Sequence, residues 1–281
     1  MSTAAISVVI PTIGRSGLLD GCLASIRAGR DAPAEVLVVD QSGSDLVKQT
    51  ADAYEARVVP CGGTGIPLAV NAGIRAAGEQ LVAVTHDDCV VDRNWVRAAA
   101  ELAASHPAAI ITGRVLPGGD PRFVPACRDR PDPWVFREGA SFGAILPNNL
   151  AMQRDGFLAV GGFDERFDVV GEDLDMAYRW ARGNRTVRYE PSMVVEHRSW
   201  RTPLELRRTY QEYARGAGVF YAKHLRAGDL SMMRLLAADG MKWLKAIARA
   251  VRTGRWDATE PSLGFVPGTV KGLWQGMRRF S

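Results

Sequence analysis

The sequence predicts an α/β protein with a mostly parallel sheet flanked by helices, followed by a helical C-terminal region. Short runs rich in β-branched residues alternate with segments of helical spacing through the first half of the chain. This alternation is typical of a parallel sheet with helices on both faces. From Pro203 onward the pattern is helical and rich in Arg and Lys. We therefore expect a sheet domain over residues 1–200 and a basic helical region over residues 201–281.

The first four strands and the helices between them follow from hydrophobic spacing. Each predicted strand is a short apolar run, and each predicted helix repeats apolar residues every three or four positions. The predicted strands are Ile6–Ile10, Glu35–Asp40, Arg57–Pro60 and Leu81–Thr85, and the predicted helices lie around Leu18–Ile26, Asp45–Tyr54 and Leu68–Ala77.

The second half of the predicted sheet domain is less regular. Residues 116–140 contain five prolines and no usable periodicity, which predicts a long loop that is either functional or disordered. Around this loop, the apolar patterns predict strands at Ala108–Val115, Asn149–Met152, Thr186–Pro191 and Met193–Glu196, and helices at Arg154–Val160 and Glu172–Arg182.

Composition and charge exclude several classes of protein. The chain has 281 residues, of which 47% are hydrophobic and 23% charged, enough to build a sizeable core. No N-terminal segment has the order of a signal peptide, and no apolar run reaches the roughly 18–20 residues that span a bilayer. We expect a cytoplasmic protein. The four cysteines are widely spaced and predict neither a zinc site nor a disulfide framework.

The distribution of charge differs between the two predicted regions. Residues 1–200 hold 20 Lys and Arg against 25 Asp and Glu, whereas residues 201–281 hold 15 against 6. The basic C-terminal region therefore predicts contact with an anionic partner, either the inner face of a membrane or a phosphorylated substrate. We expect no nucleic-acid partner.

Polar side chains follow the predicted strands at the edge where ligands bind in such sheets. Pro11-Thr12, Asp40 and His86-Asp87-Asp88 stand at three strand ends. Adjacent aspartates there suit Mg²⁺ or Mn²⁺ held against a diphosphate. Two aspartates after a strand are turn residues about as often as ligands.

A second acidic motif, Gly171-Glu172-Asp173-Leu174-Asp175, opens a predicted helix. On that helix Glu172 and Asp175 share a face, and Asp173 is set apart from them. Acidic residues in a first helical turn also complement the helix dipole without any catalytic role, and the motif alone slightly favours that interpretation. His197 after a strand is either a metal ligand or a surface histidine, and in isolation the second interpretation is favoured.

Asp40 also occupies the position that contacts a ribose in dinucleotide-binding folds, which raises the alternative of an NAD-linked enzyme. The turn after the first strand argues against it. That turn, PTIGRSG, lacks the G-x-G-x-x-G spacing through which a backbone approaches a pyrophosphate.

Taken together, these motifs and their order resemble the family 2 glycosyltransferases of the GT-A fold. The resemblance covers roughly residues 5–200 and contains at least five ordered motifs, so it is specific where each motif alone is not. The matching stretches are SVVIPTIGR, EVLVVDQSGSD, NAGIRAAG, VAVTHDDCVVDRNW, NNLAMQRDGFLAVGGFDERF, GEDLDMAYRWARGN and YEPSMVVEH.

The resemblance implies a role for each matching residue. It implies a nucleoside diphosphate sugar as donor, with UDP or dTDP favoured over GDP, and a divalent metal, Mn²⁺ or Mg²⁺, on Asp88 and His197. The resemblance also implies that Asp173 is the general base of an inverting reaction, and that the acceptor is a glycan or is lipid-linked. The implied donor-binding residues are Pro11, Thr12, Arg15, Asp40, Asn71 and Asp87, and the implied acceptor-side residues are Asn149, Glu172 and Asp175.

Two departures from the family pattern bear on these roles. His86 stands where the family often has a third aspartate, and an imidazole ligand would favour Mn²⁺ over Mg²⁺. Val70 stands where the family often has an arginine that contacts the donor diphosphate. We expect Arg75 or an arginine of residues 116–140 to replace it.

The sequence thus predicts an inverting glycosyltransferase, with two alternatives from other classes. A catalytically inactive GT-A domain that binds a nucleotide or a protein would have no need to keep Asp88, Asp173 and His197 together. All three are present, which favours an enzyme. A sugar nucleotidyltransferase would have a glycine-rich, lysine-bearing loop after the first strand, which IPTIGRSG is not.

Overall fold

The computed structural model of the protein describes residues 2–137, 144–168, 170–183, 185–198, 201–254 and 265–280. Its strands are β1 (Ser2–Thr12), β2 (Asp31–Asp40), β3 (Arg57–Pro60), β4 (Leu81–Thr85), β5 (Cys89–Val91), β6 (Ala109–Gly118), β7 (Trp134–Phe136), β8 (Asn149–Gln153) and β9 (Thr186–Arg198). Its helices are α1 (Ser16–Arg27), α2 (Asp45–Ala53), α3 (Ile66–Ala76), α4 (Trp95–Ser105), α5 (Arg154–Ala159), α6 (Glu172–Ala181), α7 (Pro203–Arg226), α8 (Ser231–Thr253) and α9 (Phe265–Arg279).

The strands form one mixed, mostly parallel sheet in the order β3-β2-β1-β4-β8-β6-β9-β5, with β7 paired to β9. Strands β3, β2, β1 and β4 are parallel, β8 is antiparallel to β4 and β6, and β6 is parallel to β9. The chain runs from β1 outward to β3 on one side and resumes on the other side with β4. The carboxyl ends of β1 and β4 therefore flank a topological switch point, where α/β sheets bind ligands.

Both faces of the sheet are covered, as the sequence predicted. Alternation along β1 sends Val8 and Ile10 into one apolar cluster, with Trp95 of α4, and sends Val9 into the other, with Ile74 of α3. All five side chains are fully buried. The near-continuous apolar runs of β1, β2 and β4 are explained by this double burial.

Several predicted elements needed correction. The strands predicted at Thr186–Pro191 and Met193–Glu196 are one strand, β9, and His197 lies inside it. The pairing of β9 with β6 shifts register between Glu190 and Val194, because proline cannot donate a ladder hydrogen bond and is accommodated at such irregularities. Helix α4 and the short strand β5 were not predicted.

The predicted loop over residues 116–140 is wrong in part. Strand β6 continues to Gly118, a short 3-10 turn spans Pro121–Phe123, and Trp134–Phe136 forms β7. Strand β7 pairs with β9, and the ring of Trp134 stacks on Tyr189 with 6.0 Å between centroids. Tertiary pairing thus creates a strand without local periodicity. Residues 138–140 of this prediction lie outside the described residues.

The chain divides into two compact units. The first contains Met1–Glu165 and Met176–Trp200, and the second contains Arg166–Asp175 and Arg201–Ser281. The predicted division at residue 200 stays a prediction about domains. In the second unit, Thr202 and Glu205 form a capping box at the start of α7, and α9 packs closely along α7. Within the described residues, no helix is long and apolar enough to cross a membrane.

Candidate active site

The ends of β1 and β4 bring four predicted residues into direct contact in the first unit. Thr12 Oγ1 donates a 2.7 Å hydrogen bond to Asp87 Oδ2. Arg15, just before α1, donates from Nε to the same oxygen at 3.1 Å, pairs through Nη2 with Oδ1, and reaches Asp88 Oδ2 from Nη1 at 3.4 Å. Asp87 and Asp88 are buried, at 0% and 2% exposure. The positive charge of Arg15 therefore offsets part of the free-energy cost of burying these two carboxylates.

The two aspartates differ in their ionisation. Burial raises the pKa of Asp87 above its usual range, and the lowering by Arg15 and Thr12 does not cancel it. Burial also opposes the charge of Asp88, but the hydrogen bond and charge of His197, with the charges of His86 and Arg15, hold the pKa of Asp88 well below its usual range. Asp88 is therefore the carboxylate that stays ionised throughout the physiological range.

His197 is buried beside Asp88, with Nε2 at 3.4 Å from Asp88 Oδ2. Its other ring nitrogen, Nδ1, is 2.9 Å from the backbone carbonyl oxygen of Pro125. A carbonyl only accepts, so Nδ1 carries the proton, and Nε2 is the atom directed toward Asp88. A backbone carbonyl that fixes the tautomer is the usual support of a histidine metal ligand.

The donor set at this point fits a divalent metal held jointly by protein and substrate. One ionised carboxylate and one oriented imidazole nitrogen suit Mn²⁺ or Mg²⁺, which usually take only one or two protein ligands when phosphates complete the shell. Among the described residues, no group of three or more His, Cys, Asp or Glu side chains forms a metal site on its own. A metal here would rely on Asp88, His197 and the diphosphate.

Three residues predicted to bind the donor lie on adjacent strands. Asp40 ends β2 directly beside Thr12 in the parallel register, and Pro11 precedes Thr12 next to Val39. Asp40 Oδ1 accepts hydrogen bonds from the backbone N–H and the hydroxyl of Ser42, at 2.8 and 2.6 Å. The turn after β2 thereby fixes the orientation of the carboxylate.

The side-chain amide of Asn71 forms hydrogen bonds that stabilise the fold. Its Nδ2 donates to the carbonyl of Phe163 at 2.8 Å and to Glu165 Oε1 at 2.9 Å, and its Oδ1 accepts from the N–H of Phe163 at 2.9 Å. Helix α3 is thereby tied to the turn at Gly161-Gly162, where both glycines have positive φ. The predicted donor contact of Asn71 gains no support from these bonds and stays a prediction.

Asn149 is similarly engaged. Its amide accepts from Trp95 Nε1 at 2.8 Å and donates to the carbonyls of Arg114 and Met193, both at 2.9 Å. These contacts join β8 to α4, β6 and β9 at a fully buried position. The predicted acceptor-side role of Asn149 stays a prediction, and its observed bonds are structural.

Among the described residues of the first unit, the ion pairs do not show an arginine in the predicted replacement role. Val70 is fully buried in the core, and Arg75 pairs with Glu165 at 3.1 Å on the surface. Within residues 116–137, Arg122 pairs with Asp120. Replacement by one of these arginines stays a prediction.

The acidic motif at the start of α6 lies in the second unit, and its three carboxylates have different surroundings. Glu172 and Asp175 are buried, at 3% and 0% exposure, whereas Asp173 is half-buried. The predicted separation of Asp173 from the other two agrees with this pattern. Asp175 pairs with Lys223 Nζ at 2.6 Å and His224 Nε2 at 2.9 Å, both on α7.

Glu172 is in the least favourable surroundings for a charge. Its Oε2 is buried without a hydrogen-bond partner in the described part of the chain. Burial, with the charges of Asp173 and Asp175, raises the pKa of Glu172 well above its ordinary value. Asp173 Oδ1 accepts from the backbone N–H of Leu174 at 2.8 Å. Asp173 is therefore the most accessible carboxylate of the motif.

Sequence reasoning missed two groups that support these residues. The Pro125 carbonyl orients His197, and Lys223 with His224 neutralises Asp175. A backbone carbonyl leaves no side-chain signature in a sequence. The Lys223-His224 pair is visible in the sequence, but its partner is 48 positions away and no local pattern connects them.

The sequence is similar to those of several known proteins. Residues 7–159 match the sequence profile of glycosyl transferase family 2. The chain is 27% identical over 288 residues to N-acetylglucosaminyl-diphospho-decaprenol L-rhamnosyltransferase of Mycobacterium tuberculosis, covering 88% of this chain and 89% of that protein. It is 29% identical over 248 residues to validoxylamine A glucosyltransferase of Streptomyces hygroscopicus subsp. limoneus, covering 73% of this chain and 53% of that protein.

The fold resembles a solved glycosyltransferase structure. The mannosyltransferase PcManGT from Pyrobaculum calidifontis, in complex with GDP-Man and Mn²⁺, superposes with a TM-score of 0.66 at 17% identity. The match covers 98% of this chain and 88% of that one. At this identity the likeness concerns the fold, which has the predicted GT-A architecture.

Proposed function

The chain belongs to glycosyl transferase family 2, and from this premise we propose that it transfers a hexose or deoxyhexose from a nucleoside diphosphate sugar to an acceptor hydroxyl, with inversion. The observation that carries the proposal is the cluster of Thr12, Arg15 and Asp87 at the switch point of the sheet, next to Asp88 and His197.

In this proposal the first unit binds the donor. Thr12 and Asp40 contact the nucleoside, for which we favour UDP or dTDP over GDP, and Asp88 with His197 holds Mn²⁺ or Mg²⁺. A metal bound there would neutralise charge on the departing diphosphate, which would lower the activation free energy by several kcal/mol. Arg15 adds a second cation near the diphosphate, and Asp87 orients its guanidinium.

Asp173 is the proposed general base. Its carboxylate takes the proton of the acceptor hydroxyl as that oxygen forms a bond to the anomeric carbon. The bond between the anomeric carbon and the diphosphate oxygen breaks in the same step, and its electron pair leaves with the nucleoside diphosphate. The half-exposed position of Asp173 supports this role, because a base must reach its substrate.

We further propose a lipid-linked sugar as acceptor, and a location at the cytoplasmic face of a membrane. The rhamnosyltransferase relative acts, by its name, on a decaprenol-linked sugar and matches this chain over nearly its whole length. The glucosyltransferase relative matches over about half of its own length and offers weaker support. The basic charge of residues 201–281 suits the phosphates of such an acceptor.

Donor turnover tests the proposal. Hydrolysis of UDP and dTDP sugars is measured with and without Mn²⁺ for the wild type, for Asp88→Ala, and for Asp52→Ala as an exposed control on α2. We expect metal-dependent turnover in the wild type and the control, and its loss in folded Asp88→Ala. Donor binding without any turnover would indicate an inactive nucleotide-binding domain, and metal-independent turnover would contradict the metal assignment.

A further inference from the structure

Helix α8 in the second unit has three distinct faces. One face contains Met232 and Ala250, which are 0% and 1% exposed, with Trp243 half-buried between them. On this face Asp239 accepts a hydrogen bond from Tyr221 of α7. This is the buried side of α8, and most residues on its other two faces are exposed.

The second face of α8 is an exposed apolar stripe. Met233, Met241, Leu244 and Val251 are 55%, 52%, 53% and 63% exposed. Exposed alanines at positions 237 and 248 fill the intervals, so the stripe repeats every three or four residues along about five turns. Scattered exposed apolar side chains are normal on a protein surface, but a continuous stripe of this length indicates a binding surface.

The third face of α8 is basic and borders the stripe on one side. Five exposed cations each follow a stripe residue by one position, about 100° around the helix. They are Arg234, Lys242, Lys245, Arg249 and Arg252. The helix has one acidic residue, Asp239, and it is already bonded to Lys242 Nζ at 2.7 Å and to Tyr221.

The same arrangement recurs on α9 of the same unit. Val270, Trp274 and Met277 are 59%, 58% and 43% exposed on one side of the helix, while its glycines pack against α7. Lys271 and Arg278 follow two of these residues by one position, and the Arg278 guanidinium lies 4.3 Å from the centre of the Trp274 ring. Tryptophan and arginine together are favoured at the boundary between lipid and water.

We propose that the second unit lies on an anionic lipid bilayer through the exposed stripe of α8, with the stripe of α9 as a second contact. The apolar side chains enter the boundary between headgroups and acyl chains, and the basic border lies among the headgroup phosphates. This inference rests on the proposed membrane location of the transferase and names the surface responsible for it.

Charge decides between a bilayer and a second copy of this chain. In a two-fold dimer, the same patch of both subunits would form the interface, so the basic borders of both copies would add positive charge without supplying an acidic partner. An anionic bilayer provides an apolar interior for the stripe and negatively charged headgroups for the five cations. Each cation near the membrane surface contributes to the attraction. The pattern therefore fits lipid better than self-association.

Co-sedimentation with vesicles tests the apolar stripe. The full chain is mixed with phosphatidylglycerol or phosphatidylcholine vesicles, and Leu244→Ser is compared with Leu46→Ser. Leu46 is a similarly exposed leucine on α2 of the first unit. We expect binding to phosphatidylglycerol only, and about tenfold weaker partitioning for Leu244→Ser, equivalent to about 1.4 kcal/mol. Leu46→Ser should bind like the wild type. Equal binding by the two variants would overturn the proposal.

The basic border and the second contact are tested in the same assay. Lys245→Gln should weaken binding about fivefold at low salt, against no change for the exposed control Lys48→Gln on α2. Raising the salt to about 0.5 M should remove most of this difference by screening. Trp274→Ser should also weaken binding, and wild-type binding by this variant would remove α9 from the surface.

Two further measurements separate this inference from its alternatives. Hydrolysis of a water-soluble donor should be the same for wild type and Leu244→Ser. If neither protein hydrolyses the donor, the proposed function is rejected, while the vesicle-binding result still decides the membrane surface. Light scattering after gel filtration gives the oligomeric state. A change from dimer to monomer in Leu244→Ser, with vesicle binding retained, would assign the stripe to a second copy and overturn the proposal.

Discussion

Neighbouring carboxylates of a single helical turn differ sharply in their surroundings in this protein. Glu172 is buried, and one of its oxygens has no hydrogen-bond partner among the described residues. Asp175 is buried in an ion pair with Lys223, and Asp173 is half-buried. The electrostatic environment, and not the type of side chain, distinguishes the three. The acid-base chemistry proposed for this motif therefore has one accessible residue.

Replacing Asp173 with Asn should reduce transfer by about 10²–10⁴, because the amide keeps the size of the side chain but accepts no proton. Turnover at saturating donor and acceptor measures this change, and the melting temperature reports folding. Glu172→Gln is the matched control for replacing a carboxyl by an amide in the same helical turn. If complementing the helix dipole were the whole role of Asp173, Asp173→Asn would lose only about 0.3–1 kcal/mol of stability and keep its turnover.

Stability should depend on pH through Glu172. Its pKa in the folded protein is raised above the ordinary value of 4.5 by burial and by the charges of Asp173 and Asp175. The protonated form therefore stabilises the fold fully below that ordinary value, and the contribution is lost as pH rises through the folded pKa. Glu172→Gln should remove this loss.

The measurement is the melting temperature of wild type and Glu172→Gln at several pH values from 5 to 8. The melting temperature of Glu172→Gln should increase relative to that of the wild type as pH rises. Glu101→Gln, an exposed glutamate on α4, serves as control and should show a constant difference. A constant difference for Glu172→Gln as well would contradict the raised pKa.

Glycines determine the contact between two helices of the second unit. A Cβ at Gly272 of α9 would meet the backbone carbonyl of Arg215 far inside van der Waals distance, and Gly218 of α7 faces the carbonyl of Thr269 in the same way. Both neighbours are backbone atoms, which cannot rotate aside. The close approach of α7 and α9 therefore requires these residues.

Gly272→Ala should lower the free energy of unfolding by about 1–3 kcal/mol, the usual cost of overpacking. Gly240→Ala on α8 is the matched control, since a Cβ there meets nothing within 4 Å. Alanine should stabilise that exposed helix by about 0.5–1 kcal/mol relative to glycine. Denaturant unfolding of both variants checks the prediction, and equal effects would show that α7 and α9 do not depend on the glycine contact.

At the scale of the whole molecule, donor binding should raise the melting temperature. A ligand that binds only the native state stabilises it by about 2.7 kcal/mol at one hundred times its dissociation constant. With Mn²⁺ present, we expect UDP or dTDP sugars to raise the melting temperature by several degrees, and GDP sugars to raise it less. A larger shift with GDP sugars would reverse the proposed nucleotide preference without affecting the assignment to the family.

The sequence by itself determined the α/β class, the first four strands, the basic C-terminal helices and the family. These features depend on local periodicity and on short motifs such as the strand-end aspartates, which are complete within a few residues. The ends of β3 and β4 were predicted to the residue, because buried apolar runs end sharply at polar or turn residues.

Tertiary structure decided what each motif residue contacts. Asn71 and Asn149 belong to recognisable motifs, yet their amides bind backbone groups 92 and 35–44 positions away. Strand β7 exists only because β9 offers it a pairing edge, and His197 is oriented by the carbonyl of Pro125, 72 positions earlier. Hydrogen bonds between distant segments depend on how the chain folds back on itself, and no local pattern of residues encodes that.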